Sequence, residues 1–112
     1  MNSYDVYFNY SGDELTCEGV PLRSVAERFG TPLYVYTARG FSERYREIDT
    51  ALEGVPHLIC YSVKSNSNVH ILRMMADMGS GMDVVSGGEI RRARAAGVDP
   101  RKIVFAGVGK TD

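Results

Sequence analysis

The feature that most constrains this chain is a strand-like run that returns about every 20–25 residues, with one helical pattern between each pair of runs. The runs are "PLYVY" (32–36), "HLICYSV" (57–63), "GMDVV" (81–85) and "KIVFAG" (102–107). The first intervening helix has an apolar face of Phe41, Tyr45, Ile48 and Leu52, and the second of Ile71, Leu72, Met75 and Met78. Gly79 follows the second at a position that favours a left-handed cap. The third opens at Ser86, which forms an S-x-x-E capping box with Glu89, and runs to about Ala96 before Gly97 and Pro100 close it. Such alternation builds right-handed βαβ units and a parallel sheet. Two architectures take these units, a doubly wound open sheet and a (β/α)8 barrel, and the barrel needs about 250 residues. Four strands in 112 residues cannot close a barrel. The expectation is either a small open sheet or the first part of something larger.

Residues 1 to about 30 read differently. "YDVYFNY" and "ELTCEGV" flank the turn "SGD" as a hairpin, and Pro21 suits the first turn of a helix whose face is Leu22, Val25, Ala26 and Phe29. Gly30 stops that helix.

A formal net charge of -1 with 44% hydrophobic residues gives no electrostatic pull toward nucleic acid or an anionic membrane. No segment approaches the roughly 20 apolar residues of a membrane span, and the first 15 residues have no basic stretch followed by an apolar one. A soluble, cytoplasmic protein with neither nucleic-acid nor membrane partners is expected. Cys17 and Cys60 have no metal-ligand spacing and read as buried or half-buried thiols. His57 and His70 are isolated and read as ordinary surface or strand-edge histidines.

The residue that asks for an explanation is Lys64, at the end of the run "HLICYSVK". In an extended strand Leu58, Cys60, Ser62 and Lys64 share one face, and Ile59, Tyr61 and Val63 the other. The carboxyl end of a parallel strand is where α/β folds assemble their sites. Lys64 either leaves the strand and snorkels its charge to water, or serves as a nucleophilic amine. An ordinary lysine gives up its proton at pH 7 at a cost of about 4–5 kcal/mol, which an apolar strand end or a second cation lowers. Asp83, on the neighbouring predicted strand, needs a partner wherever it is buried. It reads either as a carboxylate bonded to backbone amides or as a site residue.

Two apparent phosphate motifs fail. "GVGKT" (107–111) would need glycine at position 104, which is Val104, and "GSGMDV" (79–84) has Val84 at the last glycine position and precedes a strand. Arg91, Arg92 and Arg94 lie off the apolar face of their helix and read as solvated.

Three strings, "YSVKSNSN", "GSGMDVVSGGEI" and "IVFAGVGKTD", resemble in order and spacing the N-terminal part of the pyridoxal-phosphate-dependent decarboxylases of the alanine-racemase-like barrel type, most closely the diaminopimelate decarboxylases. The resemblance covers about residues 30–112. It implies an α/β fold made of the first four βα units of a (β/α)8 barrel (31–112), with residues 1–30 belonging to a second, β-rich domain, and a chain that is a fragment. It implies pyridoxal 5'-phosphate as cofactor, held covalently by Lys64, with Asp83 close to lysine and cofactor. Ser62 and Ser65 stand where alanine is more usual, and Ser62 brings a hydroxyl toward the cofactor. Glu89 has a reading in the capping box and another as a cofactor contact. The implied reaction converts meso-diaminopimelate to L-lysine and CO2, in a homodimer acting on a small amino acid. Ornithine, arginine or carboxynorspermidine decarboxylation, or a non-catalytic cofactor-binding or interaction remnant, are the alternatives. The histidine, glycine-rich loop and partner-subunit residues of such enzymes have no counterpart in these 112 residues, so the chain alone is expected to have little or no decarboxylase activity.

Overall fold

The computed structural model describes residues 6–111. The chain divides between Phe41 and Ser42 into two compact units.

The first unit is built on an antiparallel sheet of β1 (Phe8–Ser11), β2 (Glu14–Cys17) and β3 (Val20–Pro21), followed by α1 (Leu22–Phe29). Ser11 pairs with Glu14, so the first turn is Gly12–Asp13, inside the expected "SGD". Tyr4 and Asp5 of the expected first strand lie outside the described residues. The second turn, Glu18–Gly19, joins Cys17 to its partner Val20, with φ of 50° and 80°. Positive φ at both central residues is the geometry of the tight hairpin turn whose twist matches the flanking strands. Glu18 is an unusual occupant. Its carboxylate accepts hydrogen bonds from Thr37 Oγ1 and from the Arg39 amide (3.3 Å), which ties the turn to the start of the next helix. Pro21 ends β3 and forms the N-cap of α1. Leu22, Val25 and Ala26 are half-buried as expected, whereas Phe29 is 68% exposed.

The expected strand at 32–36 is not one: residues 33–37 belong to neither sheet. Its alternation is real, with Leu33 and Val35 half-buried and Tyr34 and Tyr36 exposed. Alternation sets the faces of an extended chain, but a strand also needs a neighbour to take up its amides.

Helix α2 (Ala38–Ala51) leads into the second unit, where β4 (Cys60–Ser62), α3 (Val69–Asp77), β5 (Gly81–Val84), α4 (Gly87–Ala95) and β6 (Ile103–Phe105) follow. The sheet is parallel, in the order β4-β5-β6, with Ser62 opposite Asp83 and Asp83 opposite Val104. Among the described residues it therefore has three strands, not four. On α2, Tyr45 is buried and Phe41 half-buried, but Ile48 is 51% exposed, against expectation. On α3, Leu72 and Met75 are buried, and Gly79 takes the left-handed conformation (φ 98°) that ends the helix. Asn68 caps the start of α3, accepting from the His70 amide at 2.9 Å.

Alternation along the strands sorts two faces. Met82 and Val84 on β5 are fully buried, with Ile103 and Phe105 of β6 on the same side. The opposite face carries Cys60 and Ser62 from β4, Asp83 from β5 and the 47%-exposed Val104 from β6. Gly81 allows the strands to close up there: a Cβ on it would lie 2.5 Å from the Lys102 carbonyl oxygen and 2.8 Å from Cys60 Sγ. Fully buried Ser80 stitches β4 to β5, its hydroxyl accepting from the Tyr61 amide (3.2 Å) and lying 3.1 Å from the Ile59 carbonyl.

Candidate functional site

Strand β4 is shorter than its sequence pattern. After Ser62 the chain turns into one 3-10 turn, Val63–Ser65, so Lys64 sits on that turn and not on a strand face shared with Cys60 and Ser62. Hydroxyl chemistry explains the change. Ser65 Oγ donates to the Ser62 carbonyl at 2.7 Å, bending back a backbone whose alternation would otherwise continue. Val63 anchors the turn at 0% exposure, and the turn packs against β5 and α4. Lys64 itself is exposed. Among the described residues the expectation of an amine shielded at a pocket mouth is not met. A groove on α2, lined by Glu43, Arg46, Glu47, Thr50 and Ala51, includes none of the expected site residues.

Ser62 and Asp83 are brought together as register partners on adjacent strands, two residues before Lys64 along β4. Asp83 is half-buried, yet its Oδ1 is fully sequestered and has no hydrogen-bond partner among the described residues. A sequestered carboxylate oxygen without a donor costs about 1–3 kcal/mol, so this position is destabilising unless something arrives to donate to it. The bland alternative, an Asp satisfied by nearby backbone amides, is not what the structure has at that oxygen. Cys60, on the same face, feels the carboxylate: burial pushes its thiol up, and the charge of Asp83 pushes it further. Both cysteines are free; Cys17 is buried and also raised, by burial and then by Glu18.

Glu89 forms the expected capping box. Its amide donates to Ser86 Oγ at 3.2 Å, while its carboxylate accepts from the Val85 amide at 2.7 Å, one residue before the cap. One carboxylate oxygen of Glu89 is thus engaged at the start of α4. "GVGKT" is a loop, where Lys110 Nζ lies 5.7 Å from the centre of the Phe105 ring.

Several polar residues here have no site reading from sequence. Tyr61 OH donates to the Asn66 carbonyl (3.0 Å), and its oxygen lies 3.1 Å from Ser65 Oγ. Asn66 Oδ1 accepts from the Asn68 amide (3.0 Å), and Arg92 reaches the Ser67 carbonyl (3.3 Å). The signal was present in the polar run "SNSN" directly after the lysine, because Ser and Asn bind nearby backbone in turns.

The arrangement can offer a primary amine on the turn that follows a parallel strand and, on the next strand, a carboxylate oxygen that awaits a donor. Comparison with known proteins shows the family of the chain. Residues 38–112 match the family model described as "Pyridoxal-dependent decarboxylase, pyridoxal binding domain". A diaminopimelate decarboxylase of Pseudomonas fluorescens is 56% identical over 104 residues, 93% of this chain and 25% of its own length. A crystal structure of an Aquifex aeolicus protein superposes with a TM-score of 0.89 at 46% identity, covering 96% of this chain and 27% of that one. The diaminopimelate decarboxylase of M. jannaschii in complex with L-lysine superposes with a TM-score of 0.83 at 34% identity, covering 93% and 25%. The chain thus spans about a quarter of the length of the relatives it matches. Among the described residues, no helix is long and apolar enough to cross a membrane. With the motifs, the parallel sheet and the matched residues in agreement, the chain belongs to the pyridoxal-dependent decarboxylase family, in the part of it that forms the pyridoxal-binding domain.

Proposed function

We propose that this chain is the cofactor-bearing N-terminal portion of a decarboxylase that converts meso-diaminopimelate to L-lysine and CO2. Residues 31–112 form the start of its (β/α)8 barrel, and residues 1–30 belong with a second, β-rich domain. The observation that carries the reading is the sequestered Asp83 Oδ1 without a donor, in register with Ser62 and beside the turn that presents Lys64. That donor set suits pyridoxal phosphate: a primary amine for an aldehyde, a hydroxyl, and a carboxylate to accept a proton-bearing group. When bound, the cofactor supplies an electron-withdrawing ring that eases loss of the α-carboxylate from an amino acid.

The residues of the chain have distinct parts in this. Lys64 would hold the cofactor through its primary amine. Asp83, a fixed negative charge at the strand end, favours a protonated group facing it and so orients whatever binds the open face of the sheet. Ser62 lines that face with a hydroxyl. Glu89 acts from a distance, fixing the Val85–Ser86 entry to α4, and would present a free carboxylate oxygen toward the same end of the sheet. The substrate is a small amino acid, the working protein a cytoplasmic homodimer without nucleic-acid or membrane partners. The 112 residues alone are expected to capture cofactor without turning over substrate.

Titrating pyridoxal phosphate into the chain while following its visible absorption tests the reading. A new band that disappears in Lys64→Ala is the expected result. A band of equal strength in that variant removes Lys64 from its role.

A further inference from the structure

Lys64 is exposed, yet the main chain on both sides of it is bound down. Tyr61, three residues before it, donates its hydroxyl proton to the carbonyl of Asn66, two residues after it, at 3.0 Å. The Tyr61 hydroxyl oxygen lies 3.1 Å from Ser65 Oγ, which donates its own proton to the Ser62 carbonyl at 2.7 Å. The phenol and the Ser65 hydroxyl together therefore join Ser62, before the turn, to Asn66, behind it, with Lys64 in between. Below, Val63 is fully buried. Beyond, Asn66 Oδ1 takes the Asn68 amide and Asn68 caps α3, so the far side of the bridge is fixed to a helix. Tyr61 alternates with Cys60 and Ser62 and so belongs to the sheet face opposite theirs. It is half-buried and contacts the turn from beneath, leaving the Ser62–Asp83 face clear.

We propose that Tyr61 is a positioning residue for Lys64: its hydroxyl bridge holds the Val63–Ser65 turn in the one geometry that aims the lysine amine at an aldehyde bound over Ser62 and Asp83. The proposal rests on Lys64 being the cofactor amine and adds what fixes it in place. A long side chain on a free turn samples many directions, and reaction rates fall steeply when the attacking atom is misplaced by about 1 Å. Fixing the backbone at the apex removes part of that freedom before the ligand arrives. Ser65 supplies the second strand of the bridge, so its loss should matter less than the loss of the phenol, which makes both contacts.

The test is competitive within one molecule. The chain is exposed to pyridoxal phosphate, reduced with borohydride at intervals, and digested, and the modified fraction at Lys64 is divided by that at Lys102 and Lys110. This ratio is insensitive to protein concentration and, at a temperature where circular dichroism shows each variant folded, to a general loss of stability. Tyr61→Phe keeps the ring and removes both contacts; the ratio should fall about tenfold, as expected for losing interactions of ordinary hydrogen-bond strength. Ser65→Ala, with the phenol intact, should lower it about two- to threefold. An unchanged ratio in both variants, while wild-type labelling stays concentrated at Lys64, overturns the positioning role and leaves the cofactor amine in place. Wild-type labelling with no preference for Lys64 overturns both.

Discussion

The two faces of the parallel sheet differ in how they are satisfied. On one, Met82 and Val84 are at 0% exposure, and the Tyr61 hydroxyl is bonded to the Asn66 carbonyl. On the other, Asp83 keeps a sequestered oxygen with no donor, Ser62 and Cys60 are half-buried, and Val104 stands 47% exposed. The first face is complete within the chain and the second is not. Strand ends of this kind hold unsatisfied groups where chemistry is done, and the stability for them comes from the packed side.

The contrast can be broken most sharply by one substitution on each side. Met82→Ala empties a fully buried position and should cost about 2–4 kcal/mol in a urea unfolding experiment. Val104→Ala, on the open face of the adjacent strand, should stay within about 0.5 kcal/mol. Comparable losses from the two would mean that the faces are equally packed.

A smaller effect of opposite sign is expected at Asp83. Removing an acceptor that has no donor should leave stability unchanged or raise it by up to about 1 kcal/mol in Asp83→Ala, while capture of pyridoxal phosphate at Lys64 weakens. A clear loss of stability would place Asp83 among the structural residues of the packed side.

The smallest effect lies away from both faces, where α2 hands over to β4. His57 Nδ1 is 2.7 Å from the Val55 carbonyl oxygen and Nε2 is 3.0 Å from Asp49 Oδ1, so both ring nitrogens face acceptors. The bond to the Val55 backbone, then the bond to the Asp49 carboxylate, raise the imidazole above its ordinary value. A raised folded value means that stability is fully present below the unfolded pKa near 6.5 and is lost as pH rises through the folded one. A thermal midpoint that declines slightly across that window in the wild type, and is flat in His57→Gln, is the expected outcome.

Much of this was legible in the sequence. Ile71, Leu72, Met75 and Met78 marked the inner face of α3, Ser86 and Glu89 its successor's capping box, and the spacing of "HLICYSV", "GMDVV" and "KIVFAG" the parallel sheet, because each depends on side chains a few residues apart. What depends on distant partners was not. Residues 33–37 alternate as a strand does but pair with neither sheet, Phe29 and Ile48 continue an apolar face yet are exposed, and Glu18 enters a positive-φ turn that usually takes Asn or Gly. At the site, the placing of Asp83 on the strand beside the one that leads to Lys64 followed from the order of the runs. The 3-10 turn and the exposed amine did not, since the alternation of Tyr61 and Val63 runs straight through the point where a serine hydroxyl bends the chain.

The account stands on a cofactor attached at Lys64 and lying over the incomplete face. Diffraction from crystals of the chain grown with pyridoxal phosphate tests this most directly. Continuous density from Lys64 Nζ to a ring over Ser62 and Asp83 is the predicted result. Density joined instead to Lys102 or Lys110, or a ring seated on the Met82–Val84 side, would contradict it.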